Sequence, residues 1–238
     1  PPLDNIRFRT ISDLSQGETA EIASKIVKKY SGNDDKVRWC LKPVFLKWLL
    51  KNGNDKVIYL DNDIYFTNPF DFLWEELENN RIILTPHWRA SSPEQSVWLF
   101  ETNYRDGIYN AGFIGISKGA EKAMDWWAEV CLFRCTKSYI QGNFDDQKYL
   151  DMMPVVEPKT KILEHRGCNV AYWNIMDSKR TIKDGHLLLN GKYPPIFIHF
   201  ADCSIAAIQA DIDPKLRPYL DEYLEALDKY GFDVPLGK

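Results

Sequence analysis

The chain has 238 residues, 45% hydrophobic and 27% charged, which is enough for one domain with a sizeable core. Its formal charge of -4 and pI near 5.7 supply no basic face for a polyanion. Nucleic acid is therefore not an expected partner, and an anionic substrate needs a metal or a local cluster of cations. No apolar run approaches the ~18 residues of a membrane span, and no signal peptide is visible. The five cysteines are odd in number and scattered. Cys131 and Cys135, in an apolar stretch of helical character, read as buried free thiols, and the set suits a reducing compartment.

From the start of the chain, Ile6 to Ile11 alternates like a strand. Residues 18–30 place Ile22, Ile26, Val27 and Tyr30 on one helical face. Residues 36–51 predict a second helix, in which Lys42-Pro43 marks a kink or the junction of two helices. Val57-Ile58-Tyr59-Leu60 reads as a buried strand running into Asp61-Asn62-Asp63-Ile64-Tyr65-Phe66, before a turn at Thr67-Asn68-Pro69. Asp71 to Asn80 reads as a short helix and Ile82 to Thr85 as a strand. Residues 88–107 read as irregular.

Ile108 to Ile116 is a strand interrupted by small residues, with Gly112 leaving room for a close approach. A long helix spans residues 119–136, and the polar knot Gly142 to Gln147 opens a short helix through Leu150. Val155-Val156 and Lys161 to Leu163 read as short strands, and Asn169 to Trp173 as a compact aromatic segment. Pro194 to Phe200 is the last strand, with His199 in its tail, and residues 214–230 form an amphipathic helix. The expectation is a single α/β domain over residues 1–238.

In open α/β sheets, ligands bind beyond the C-terminal ends of strands. Asp61 and Asp63 are two hard oxygen donors at such an end, suited to a Mn2+ or Mg2+ ion that carries a substrate phosphate. The competing reading has Asp61 capping the next helix and Asp63 merely exposed. A second Asp-x-Asp, Asp211-Ile212-Asp213, follows no apolar run and reads as a solvated loop or helix start. Asn110, Asp146-Gln147 and His199 also stand where strand ends would place them. Taken singly, each has an ordinary reading: turn chemistry, a helix cap, a structural histidine. Their joint placement on one edge of a sheet points to a site.

In their order, Leu41-Lys42-Pro43, Val57 to Asp63, Leu84-Thr85-Pro86-His87, Tyr109-Asn110-Ala111-Gly112-Phe113, Asp145 to Leu150 and Ile198-His199-Phe200 resemble the GT-A glycosyltransferases. The nearest resemblance is to family 8-like bacterial enzymes that use nucleotide-diphospho-sugars. It implies a Rossmann-like mixed sheet flanked by helices, with part of the N-terminal nucleotide-binding unit lacking from this sequence. It implies Asp61, Asp63 and His199 as metal ligands, with Mn2+ favoured over Mg2+. Lys42, Asn110, Ala111, Gly112, Asp146 and Gln147 would line the donor, Asp146 on sugar hydroxyls and Gln147 beneath the anomeric carbon. The tail Ala201 to Ile205 carries no Lys where the family tends to have one.

The implied reaction moves a hexose from a UDP-sugar to a saccharide or glycolipid acceptor, with retention. The implied setting is the cytoplasm, at the inner face of a membrane and in surface polysaccharide synthesis. Gly167 to Asn174 is a candidate acceptor platform through Asn169, Trp173 and Asn174. A core Trp beside a turn-forming Asn explains the same residues, and His87 faces either the acceptor or the core. Two other classes fit in part. A haloacid-dehalogenase-type phosphatase would use Asp-x-Asp as a nucleophile, but Tyr65 stands where it wants a small hydroxylic or Val residue. A non-catalytic module would bind a nucleotide-sugar or glycan without turnover.

Overall fold

Apolar periodicity sets the helices at the front of the chain. In the computed structural model, which describes residues 5–232, α1 (Ile11–Leu14) leads into α2 (Ala20–Lys29) and α3 (Asp34–Lys51). Asn33 caps α3 by accepting a hydrogen bond from the Lys36 backbone N–H at 3.0 Å. The helix continues through Pro43 as one element, so two helices do not meet there. The strand expected over Ile6 to Ile11 does not form. Residues 6–10 have no ladder partner among the described residues, Phe8 is 89% exposed, and Ile11 starts α1 instead.

The apolar run after α3 makes two strands, β1 (Lys56–Leu60) and β2 (Ile64–Phe66). Then come α4 (Phe72–Asn79) and β3 (Ile82–Pro86). The stretch expected to be irregular contains α5 (Val97–Arg105), started by the Ser96 hydroxyl accepting from Leu99 N–H at 3.3 Å. Next are the fully buried β4 (Tyr109–Ser117), α6 (Glu121–Phe133), and the two-residue strands β5 (Lys137–Ser138) and β6 (Asn143–Phe144). Val155-Val156 lies in α7 (Met153–Val156), not in a strand, because Pro154 in the first turn favours helix and Val155 is exposed.

β7 (Thr160–Ile162) precedes a hairpin the periodicity does not show, β8 (Arg180–Lys183) and β9 (His186–Leu189). It turns at Asp184-Gly185, both with positive φ (51° and 79°), as this tight turn requires. β10 (Phe197–His199), α8 (Asp202–Gln209) and α9 (Arg217–Lys229) complete the chain.

The main sheet has the order β1-β4-β3-β7, antiparallel except for the parallel β3–β7 pair. Side chains alternate across it. Ile82, Leu84, Ile114 and Ile116 meet α2, α3 and α6 on one face; Ile83 and Phe113 meet α4 on the other. The expected α/β architecture, a mixed sheet flanked by helices, is therefore the one that forms. β1 is half-buried, not buried as expected, because its outer edge has no ladder partner among the described residues.

β2 leaves the main sheet and pairs antiparallel with β10. Phe197 of β10 stacks on Phe113 of β4 at 4.9 Å and 18°, which fastens this small sheet to the large one. Burying a side chain of that size stabilises by about 1.5–3 kcal/mol. A further cluster, including Ile198, Phe200, Ile205, Leu220 and Tyr223, ties β10 to α8 and α9. No helix among the described residues is long and apolar enough to cross a membrane.

Candidate metal centre

Asp61 is the first residue after β1 and Asp63 the last before β2, so the Asp-x-Asp is the step from one sheet to the other. Each end is pinned by backbone: Asp61 N–H donates to Gly112 C=O, and Phe200 N–H to Asp63 C=O, both at 2.8 Å. Because β2 pairs with β10, His199 lies opposite Ile64 and next to the carboxylates. One ligand atom from each of Asp61, Asp63 and His199 fits within 4.8 Å of the others. The cap alternative for Asp61 does not arise, since no helix starts there.

The donor set fits a divalent cation. The buried Asp63 Oδ1 is 3.0 Å from His199 Nε2 yet makes no hydrogen bond. An unsatisfied buried oxygen of this kind costs about 1–3 kcal/mol unless something binds it. Asp61 Oδ1 is held by the Tyr59 hydroxyl, which donates at 2.6 Å. Gly112 forms the floor. A Cβ there would come 2.6 Å from His199 Cε1, 2.7 Å from Asn110 Oδ1 and 2.9 Å from Asp61 Oδ2. Two hard oxygens and one imidazole nitrogen make a donor set for a divalent cation.

Asp61, Gly112 and His199 line a cleft of about 410 Å³ that also takes in Lys42, His87, Asn110, Ala111, Asp146, Gln147 and Trp173, while Asp63 stands behind them against His199. Buried Lys42 reaches in from α3, its Nζ donating to Ala111 C=O at 2.9 Å and lying 2.9 Å from Asp146 Oδ2. That oxygen has no hydrogen bond. Asp146 is set in place by its own backbone carbonyl, which accepts from Trp127 Nε1 at 2.9 Å, and by the left-handed Asp145 before it (φ 47°). Gln147 is clamped at both ends, Oε1 accepting from Ala111 N–H at 3.3 Å and Nε2 donating to Asp106 C=O at 2.9 Å.

Asn110 Oδ1 accepts from Gly112 N–H at 2.7 Å, and its Nδ2 donates to His87 Nε2 at 3.1 Å. His87 Nδ1–H donates to Ile108 C=O at 3.1 Å. Burial, then the nearby Arg89, holds the His87 pKa well below the ordinary 6.5, so the ring is neutral, as accepting from Asn110 requires. The Trp173 ring is wedged edge-on between His87 (5.3 Å) and His199 (5.1 Å).

The expected donor residues thus come together in one cleft with Asp61 and His199, Asp63 adjoins them through His199, and the acceptor set divides. Trp173 keeps partly exposed surface. His87 lines the cleft with both ring nitrogens engaged. Asn169 and Asn174 are fully buried, and their amides are spent inside the fold beneath His199. Of the two readings of Asp211 to Asp213, the helix start holds, Asp213 preceding the 3-10 turn Pro214–Leu216, but Asp213 is not solvated: it is buried against Arg180 at 3.0 Å.

Periodicity missed Arg89 and Lys137. Buried Arg89 donates to Gly107 C=O at 2.7 Å and sits 3.6 Å from Asp106, with burial drawing its pKa down to about 10. Lys137 lies over the rings of Trp39 and Phe144 and 3.6 Å from Asp145. Both stand in polar stretches without a repeating pattern. All five cysteines are free, four buried and Cys203 exposed at the cleft. A second cavity of about 410 Å³ beyond Lys42 is mainly apolar, lined by residues such as Leu14, Val37, Leu41 and Phe45, and gathers no comparable set of ligating groups.

No family model matches the chain. It is 28% identical over 210 residues to the uncharacterized protein YfnF of Bacillus subtilis (strain 168), covering 83% of this chain and 67% of that protein. It is 29% identical over 170 residues to the uncharacterized protein YfnD of the same organism, covering 68% and 52%. The chain therefore spans about two thirds and about half of these two relatives. Among solved structures it is similar to the crystal structure of mouse xyloside xylosyltransferase 1 in its apo form. That likeness has 14% identity and a TM-score of 0.46, and covers 76% of this chain and 72% of the other.

Proposed function

We propose that the chain is a metal-dependent glycosyltransferase. Its donor is a nucleotide-diphospho-hexose, a UDP-sugar by preference, its acceptor a saccharide or glycolipid, and transfer proceeds with retention. What carries this reading is the meeting of Asp61, Asp63 and His199, two of which, Asp61 and His199, line a cleft that also holds Lys42, Asp146 and Gln147. Those three side chains would hold Mn2+, which the imidazole favours over Mg2+. When bound, the ion supplies charge neutralisation for the donor diphosphate and Lewis-acid stabilisation of the departing nucleoside diphosphate.

The chain's own groups orient the sugar. The bare backbone at Gly112 lets the side chains of Asn110, Asp61 and His199 close together over β4, where a Cβ would clash with all three. Asp146, its Oδ2 held 2.9 Å from the Lys42 ammonium, turns the rest of its carboxylate to the sugar hydroxyls. Gln147 presents its amide oxygen on the same floor, beneath the anomeric carbon, and its double clamp spares the reaction the cost of ordering it. Trp173 offers an edge of aromatic surface to the acceptor.

The test is a panel of nucleotide-sugars screened for Mn2+-dependent thermal stabilisation, followed by an assay for released nucleoside diphosphate. Saturation at about 100 times Kd stabilises by about 2.7 kcal/mol. A Tm rise with a UDP-sugar and Mn2+, together with turnover, is expected. Binding with no turnover on any acceptor would favour the non-catalytic module. Vigorous metal-dependent hydrolysis of p-nitrophenyl phosphate would favour the phosphatase. No response to any donor would overturn the reading.

A further inference from the structure

Beneath His199, on the side away from Asp63, a chain of buried polar side chains runs from the metal centre to the Arg180–Asp213 ion pair. Asn169 Oδ1 is 3.3 Å from His199 Nδ1. The orientation of that amide is set by its Nδ2, which donates to Pro86 C=O at 3.4 Å. The Asn169 backbone is left-handed (φ 61°), and its C=O accepts from Asn174 Nδ2 at 2.7 Å. Asn174 Oδ1 in turn accepts from Arg180 Nη2 at 2.9 Å. Asn169 and Asn174 have no exposed surface, and Arg180 is anchored on Asp213. The next residue, Val170, is tied to β10 in both directions, its N–H donating to Phe197 C=O and its C=O accepting from His199 N–H.

We propose that Asn169, held by Asn174 and Arg180, is a positioning residue that locks His199 as the Nδ1–H tautomer and aims its Nε2 lone pair at the metal. This inference rests on the metal-centre reading. An amide oxygen can only accept, so the shared proton belongs to His199 Nδ1. The lone pair of Nε2 then faces the unpartnered Asp63 Oδ1 at 3.0 Å, and a cation between the two relieves the clash. Histidines that ligate metals are generally oriented through their other ring nitrogen in this way. Trp173, edge-on to the imidazole at 5.1 Å, closes the side through which the ring would flip.

The test uses the whole chain without activity as the readout. Nitrogen-15 NMR of the metal-free protein reads the tautomer of His199, identified among the four histidines by the signal lost in His199→Ala. Calorimetry reads Mn2+ affinity. Asn169→Gly keeps the left-handed backbone and removes the amide; it is expected to mix the tautomers and weaken Mn2+ binding by about 10–100-fold. Asn169→Asp restores an acceptor at the same place and is expected to recover most of that loss.

An Nε2–H tautomer in the wild type overturns the inference, and it decides the matter even where Asn169→Gly fails to fold. So does an Asn169→Gly protein with unchanged tautomer and Mn2+ affinity. Mn2+ binding that is absent, or indifferent to His199→Ala, instead brings down the metal centre itself.

Discussion

Lys42–Asp146 and Arg180–Asp213 are both buried ion pairs, but their polar atoms are used to different degrees. Arg180 donates to Asp213, to the Asn174 side chain, and to the carbonyls of Ala171, Asn174 and Ser178. Its planar fork is filled by protein. Lys42 has one hydrogen bond, to Ala111 C=O, and the Asp146 oxygen facing it at 2.9 Å has no partner besides that ammonium. The Arg180 pair lies behind the metal centre, whereas the Lys42 pair lines the cleft. Native proteins rarely leave buried polar atoms short of partners. A saturated pair is framework, and an unsaturated pair at a cleft is ready for a ligand's hydroxyls.

The cleft side should therefore lose function without losing the fold, and the framework side the reverse. The largest effect is expected from Asp61→Ala and Asp63→Ala. Removing metal charge stabilisation of several kcal/mol should lower Mn2+-dependent donor turnover by about 10³-fold or more, with circular dichroism unchanged. Full activity in both variants would dismiss the metal centre.

Next comes the contrast between the pairs. Arg180→Met strands Asp213 and should cost about 3–5 kcal/mol, read as a Tm drop of roughly 10 °C. Lys42→Met removes a cation with a single protein hydrogen bond beside its ion pair, against the five of Arg180, so its Tm should fall less and its turnover more. Equal losses of Tm with turnover intact in Lys42→Met would erase the distinction. A smaller effect is expected from Gly112→Ala. Crowding of His199 and Asp61 by the new methyl costs about 1–3 kcal/mol, seen as roughly tenfold weaker Mn2+ binding by calorimetry.

The saturated and unsaturated pairs also differ in how far the sequence disclosed them. Asp146 and the ligands lie beside short apolar runs, so a strand-end rule brings them together, while Lys42, inside a helix, entered only through the family resemblance. Arg180 and Asp213 are 33 residues apart, and nothing local to either marks it as buried. The same limit hid the sheet change inside Val57 to Phe66. Both halves are apolar and extended, and only the distant pairing of β2 with β10 separates them. α5 escaped notice because it buries only Leu99 and Thr102, too few for a repeat, although Ser96 was a legible cap. In Val155-Val156, β-branching pointed to a strand while Pro154 set a helical turn. The Asp184-Gly185 turn was a readable signal for the hairpin that periodicity passed over.

The smallest expected effect concerns pH and His87, on the cleft side. In the unfolded chain this group takes a proton near pH 6.5, but burial beside Arg89 keeps it neutral in the folded protein. Below pH 6.5 the unfolded state therefore binds more protons, so stability is fully present above that value and falls as pH drops toward the depressed folded pKa. The slope from one such group is at most about 1.4 kcal/mol per pH unit. His165, also depressed by burial, acts in the same direction, so the difference between wild type and His87→Gln isolates His87. Urea unfolding at about pH 7.5, 6.5 and 5.5 should show a steeper acid-side loss in the wild type than in His87→Gln. Parallel profiles would mean that His87 takes up its proton in the fold as readily as in the unfolded chain. It would then be unable to accept from Asn110, and the floor under Gly112 would lose its support.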